Sequence, residues 1–185
     1  IEHNPDYVHH QHPGKSALIR EMVFGAEDGM VSTLGAITGI ATATQDPFTT
    51  VLSGCVVIAV ESISMGVGSY ISTKSEIEIN QRKLYEEKTE LHESPEDERE
   101  ELEEMYIEDG WPKKLAAEMA QAASENRDLF LQEMAYRELE IIPDNMGHPI
   151  RNGSVMWVSY ISGGLIPLIP YLILPLGSAI IVSIC

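Results

Sequence analysis

The stretch VLSGCVVIAVESISMGVGSYIST, residues 51–73, decides the fold. It runs for 23 residues with a single Asp, Glu, Lys or Arg, which is Glu61. At about 1.5 Å per residue, a helix of that length crosses a hydrocarbon core of about 30 Å. Upstream, residues 22–45 form a second such run, broken only by Glu27 and Asp28. The link between them, residues 46–50, contains a Pro and neither Lys nor Arg, so the two runs predict a helical hairpin. Downstream, residues 153–185 carry no Asp, Glu, Lys or Arg and are punctuated by Pro167, Pro170 and Pro175. They read as one helix to about Leu174, a turn near Pro175 and the start of another helix.

The fold class that follows is an all-α polytopic membrane protein with a helical cytoplasmic insertion between its second and third spans. Its segments are a disordered tail at 1–20, spans at 21–45 and 51–73, the insertion at 74–152, a third span at 153–174 and a fourth starting at 176–185. His9, His10 and His12 crowd the tail, and Pro5, Pro13 and Gly14 break any regular element there. Since the chain starts at Ile1 and stops at Cys185 inside an apolar run, it reads as a fragment.

Charge is segregated along the chain. Of the 29 acidic residues 22 lie between Glu76 and Asp144, and the whole chain carries a net charge of −17. Such acidity excludes a nucleic-acid binder working through a basic face and makes cations the natural partners. Only Cys55 and Cys185 occur, both in apolar runs, which leaves neither a disulfide framework nor a cysteine zinc site. All 12 Lys and Arg fall in the tail and the insertion, with Arg20, Lys74 and Arg151 at span ends. The positive-inside rule places those segments in the cytosol.

The insertion predicts three helices. The first continues the second span, because nothing between Thr73 and Leu91 breaks a helix. The second starts at Ser94-Pro95-Glu96, with Ser94 as N-cap and Pro95 in the first turn, and ends at Gly110-Trp111-Pro112. The third runs over 113–142 with an apolar face at Leu115, Met119, Ala122, Leu129, Phe130 and Met134, and Pro143 ends it.

An ionisable side chain inside a span costs at least about 2.5–3.5 kcal/mol on insertion scales and is tolerated where it meets a cavity, a partner or an ion. Glu27, Asp28 and Glu61 are such residues, and Met65, four residues beyond Glu61, shares its face. A carboxylate beside a thioether suits a borderline divalent transition metal better than Na⁺ or Mg²⁺, whereas packing alone would also account for Met65. Gly25 with Gly29, and Gly35 with Gly39, form small-xxx-small pairs that favour close helix packing or a dimer interface. In the insertion Glu87 and Glu90, and Glu98 and Glu101, are three apart, and Glu138 follows Met134 by four. Each pair could clasp a cation, although so acidic a segment also yields such spacings as solvated surface. Neither His92 nor His148 has a Glu three residues before it, which excludes the Glu-x-x-His di-iron pattern, and P-loop and hydrolase signatures do not occur.

Phe24-Gly25-Ala26-Glu27-Asp28-Gly29, then residues 63–76 (ISMGVGSYISTKSE) and residues 163–171 (GGLIPLIPY), resemble the vacuolar iron transporter (VIT) family of Fe²⁺/Mn²⁺ transporters. The resemblance runs from Arg20 to the end in the family's order. It implies a five-span homodimer in the lipid bilayer that exports ferrous iron, and often manganese, from the cytosol in exchange for protons; it is not an enzyme and has no prosthetic group. Zn²⁺ and Co²⁺ are further candidate ions. Asp28 and Met65 would lie in the translocation path with Glu61 as an additional acid. Glu87, Glu90, Glu98, Glu101, Met134 and Glu138 fall where the family's cytoplasmic domain has its metal ligands. Val57 stands where some members have a Glu, and Ala135 where they have a second Met. The vacuolar membrane is implied for a eukaryotic source and the plasma membrane for a prokaryotic one. The competing function is a membrane-anchored sensor or buffer that binds metal and moves none.

Overall fold

The computed structural model describes residues 13–141 and 147–184. All of its regular elements are helices: α1 (Pro13–Thr44), α2 (Pro47–Glu93), α3 (Pro95–Glu108), α4 (Lys113–Ser124), α5 (Arg127–Arg137), α6 (Pro149–Ile173) and α7 (Leu176–Ile184). They divide into two compact units, residues 1–74 with 147–185, and residues 75–146.

In the first unit α1 and α2 are joined by Gln45 and Asp46, the former at a positive φ of 54°. Asp46 starts α2 by accepting the Thr49 N–H at 3.0 Å, and Pro47 follows in the first turn, where its missing N–H costs nothing. The two helices run antiparallel. Near one end Ser69 donates to Glu21 at 2.9 Å, and near the other Gly54 faces Ile37. The predicted hairpin is therefore present, and its turn is tighter than the five-residue link.

Helix α6 packs against both. Gly25 and Gly29 of α1 lie against the backbone of Met156 and Tyr160, and Gly163 lies against the Ala26 carbonyl. Gly66 of α2 meets Gly153 and Trp157 in the same way. A Cβ at Gly25, Gly29 or Gly163 would collide with main chain and one at Gly66 with the Trp157 Cβ, so glycine is what permits the close approach. Ile37, Ala41, Ile58, Leu168, Tyr171 and Ala179 fill the buried centre. α2 and α6 are long and apolar enough to cross a membrane, whereas α1 is not among such helices, because Gly, Ser and Thr with Glu27 and Asp28 dilute its apolar content.

Residues 1–12 of the expected tail lie outside the described residues, but 13–20 are helical rather than disordered, since α1 opens on Pro13 and nothing from Lys15 to Arg20 interrupts it. Pro143 also lies outside them. α6 starts at Pro149, four residues before the expected span, and continues through Pro167 and Pro170 to Ile173.

The second unit corrects the three-helix reading of the insertion. The segment expected as one helix over 113–142 is two, α4 and α5, because Asn126 caps α5 by accepting the N–H groups of Asp128 at 3.1 Å and Leu129 at 3.3 Å. The apolar face also shifts. Leu115 and Leu129 are exposed, while Ala116, Ala120 and Ala123 are buried against Leu102, Tyr106, Phe130 and Met134. Alanines let α4 approach α3 closely, which the larger residues on its other face would prevent. α3 starts where expected, with Pro95 in its first turn followed by Glu96, Asp97 and Glu98, but the Ser94 side chain makes no capping bond. It ends at Gly110, whose φ of 97° lets its N–H reach the Ile107 carbonyl and the next N–H, of Trp111, reach that of Tyr106.

Candidate metal centre

In the second unit three carboxylates from three helices converge. Glu87 comes from the polar half of α2, Glu98 from the first turn of α3, and Glu138 from the end of α5, where its N–H caps the helix on the Met134 carbonyl. An oxygen of each lies within 4.8 Å of the others. Two ligands on opposite sides of one ion, each about 2.1–2.4 Å from it, are separated by about that distance. Glu87 is only 2% exposed and Glu98 8%, and Glu87 Oε1 has no hydrogen-bond partner among the described residues.

Burial, followed by the neighbouring carboxylates Glu138, Glu98 and Glu90, pushes Glu87 up to about 8. Burial, followed by Glu101, Glu90 and Glu138, pushes Glu98 up to about 7. Glu101 is raised by burial, then by the charges of Glu138, Glu90 and Glu104. Crowded like charges out of water can be relieved in two ways, by protons or by a cation. An all-carboxylate set takes a hard or borderline divalent ion.

All five glutamates singled out in this segment thus belong to one electrostatic group, with Glu90 and Glu101 exposed at its margin. Met134 is fully buried one turn before Glu138 and packs in the apolar core with Leu102, Tyr106 and Phe130. Sequence reasoning missed Arg137, whose guanidinium lies 4.3 Å over the Tyr106 ring and pairs with Glu133 at 3.2 Å and with Asp109. The pairing fastens the end of α5, beside Glu138, to the end of α3. A lone Arg amid many acids was the available signal.

The first unit holds a second polar group. Ser32 donates to Asp28 Oδ1 at 3.3 Å, and the Tyr160 hydroxyl donates to Glu61. Tyr160 is fully buried, while Asp28, Glu61 and Met65 are half-buried. Glu27 is exposed, one residue round the helix. Tyr160 and Ser32 were not anticipated; the hydroxyls in both apolar runs were the only hint. Gly25 and Gly29 are buried against α6, whereas Gly35 and Gly39 have open space where a Cβ would stand.

Against known proteins, the VIT family model matches residues 19–185. A vacuolar iron transporter of Centaurea cyanus is 28% identical over 181 residues, covering 95% of this chain and 71% of that protein. Vacuolar iron transporter 1 of Oryza sativa subsp. japonica is 26% identical over 90% of this chain and 68% of its own length. The vacuolar iron transporter of Plasmodium berghei (strain Anka) is 25% identical over 92% of this chain and 64% of its own. With a family model matching nearly the whole sequence, and the sequence signature, helix order and carboxylate cluster already in hand, the chain belongs to the VIT family.

Proposed function

We propose that this chain is a transporter rather than an enzyme and carries ferrous iron, with Mn²⁺ as a second substrate, out of the cytosol in exchange for protons. The observation that carries the reading is the convergence of Glu87, Glu98 and Glu138 with two of the three carboxylates buried. The names of its relatives, vacuolar iron transporters from plants and a parasite, support the substrate.

In this account the acidic insertion faces the cytosol and concentrates Fe²⁺ through its negative field. Glu87, Glu98 and Glu138 capture the ion, with Glu90 and Glu101 adding charge and Met134 a softer donor. Asp28, Glu61 and Met65 then replace part of its water shell in the translocation path. Protonation of those carboxylates from the far side makes them poor ligands and releases the metal, so protons return as iron leaves. The hydrogen bond from Tyr160 to Glu61 and that from Ser32 to Asp28 hold the acids in place meanwhile. Gly35 and Gly39, with open space beside them, offer a surface on α1 for a second copy. The protein resides in the vacuolar membrane of a eukaryotic cell or the plasma membrane of a prokaryotic one.

The test is Fe²⁺ uptake into proteoliposomes enclosing a pH dye. Uptake accompanied by proton movement supports the transporter; bound Fe²⁺ without uptake makes the protein a buffer or sensor.

A further inference from the structure

The second unit carries a feature opposite in sign to its metal centre. An open pocket of about 530 Å³ lies among the end of α2, the start of α3, the end of α4 and the first turn of α5. Its rim holds Lys88, His92, Arg99 and Arg127. The segment as a whole carries far more acids than bases, yet here three Lys or Arg side chains and a His meet only two acids, Glu96 and Asp128. Glu96 and Arg99 engage each other at 3.0 Å, and Arg99 also donates to Gln121 at 3.3 Å, so Lys88 and Arg127 are the cations left facing Asp128. Lys88 and Arg127 make no ion pair among the described residues, and the Arg99 Nε is buried without a hydrogen-bond partner.

The floor is of another character. Leu91 and Leu131 supply apolar surface beside the buried Phe130, and Gln121 and Ser124 supply neutral polar groups at its edge. Inorganic phosphate alone would leave most of this volume empty, since pockets of this size suit small organic molecules. Glu87 with Lys88, and Glu98 with Arg99, are sequence neighbours, and each pair is turned by about 100° on its helix. The same two helices therefore present carboxylates to the metal centre and cations to the pocket.

We propose that this pocket binds a nucleotide-sized organic phosphate, its organic body against Leu91 and Leu131 and its phosphates on Lys88 and Arg127, with Arg99 beside them. The site is separate from the metal centre and does not rest on the transport reading.

Equilibrium dialysis of the full chain in detergent, with ATP as the probe and EDTA present so that no metal bridges ATP to the glutamates, tests it. Saturable ATP binding is expected, weakened about tenfold or more by Lys88→Glu and by Arg127→Glu, both at exposed positions. Mn²⁺ binding by those variants, measured separately, should stay intact and so report a folded unit. Adenosine and inorganic phosphate should each bind far more weakly than ATP. Absence of ATP binding at millimolar concentration overturns the proposal, as does ATP binding unchanged in both variants. Binding of phosphoinositide-containing vesicles with no binding of soluble ATP would instead assign the pocket to a lipid headgroup and overturn it too.

Discussion

Glu87 and Glu98 bring buried carboxylate oxygens from α2 and α3 to within 4.8 Å of each other. Folding thus concentrates negative charge where water cannot screen it, and the cost depends on pH. The folded values are raised to about 8 and about 7 from 4.5, so between pH 4.5 and 8 the folded chain holds protons that the unfolded chain has released. Without metal, stability should be greatest at the low end of that window and fall as pH rises through the folded values. Thermal unfolding in detergent and chelator at pH 5, 6, 7 and 8 checks this. Glu87→Gln should flatten the profile and stabilise the metal-free chain at pH 8 by on the order of 1 kcal/mol or more.

With Glu87, Glu98 and Glu138 as the proposed ligands, metal and protons would compete for the same oxygens. Binding of Mn²⁺ at pH 7 should release roughly one proton per ion, and apparent affinity should weaken on acidification from pH 8 to 6. Titration calorimetry in two buffers of different ionisation enthalpy counts the protons.

Close approach of α1 and α6 rests on particular glycines. Gly29→Ala would drive a methyl into the Tyr160 carbonyl and Gly163→Ala into that of Ala26, and neither backbone can retreat cheaply. Each should destabilise the chain by about 1–3 kcal/mol. Gly35→Ala and Gly39→Ala meet nothing within 4 Å among the described residues and should leave monomer stability unchanged or slightly raised. Thermal unfolding monitored by size-exclusion chromatography separates the two classes.

Arg137→Ala removes the stack on Tyr106 and the pairings with Glu133 and Asp109, leaving α5 unfastened from α3. Loss of about 1–3 kcal/mol is expected, with Arg137→Lys recovering only part, because a point charge cannot reproduce the planar contact. Chemical denaturation followed by the Trp111 environment reads it.

Long features of the fold were legible because they are written in runs of many residues. The hairpin, the unbroken passage from span to polar helix in α2, the stop at Gly110-Trp111-Pro112 and the turn at Pro175 each follow from composition or from a backbone requirement. The break at Asn126 was not legible, since an Asn amid helix formers ranks as a weak former until its side chain is seen capping α5. Nor was the burial of α4 through alanines, where periodicity of large residues pointed to the wrong face. At the site, spacing offered many glutamate pairs without choosing among them, the family resemblance narrowed them to Glu87, Glu90, Glu98, Glu101 and Glu138, and the packing of α2, α3 and α5 brings Glu87, Glu98 and Glu138 together. Tyr160 and Arg137 escaped notice because their distant partners, Glu61 and Asp109, lie 99 and 28 residues away along the chain.

The most direct measurement is Mn²⁺ binding by the full chain at pH 7.5, comparing wild type with Glu87→Gln, Glu98→Gln and Glu138→Gln. The account predicts that each substitution weakens one binding site about tenfold or more while the protein remains folded. Unchanged affinity in all three variants would contradict it, because the convergent carboxylates would then be acidic packing and the metal would bind elsewhere.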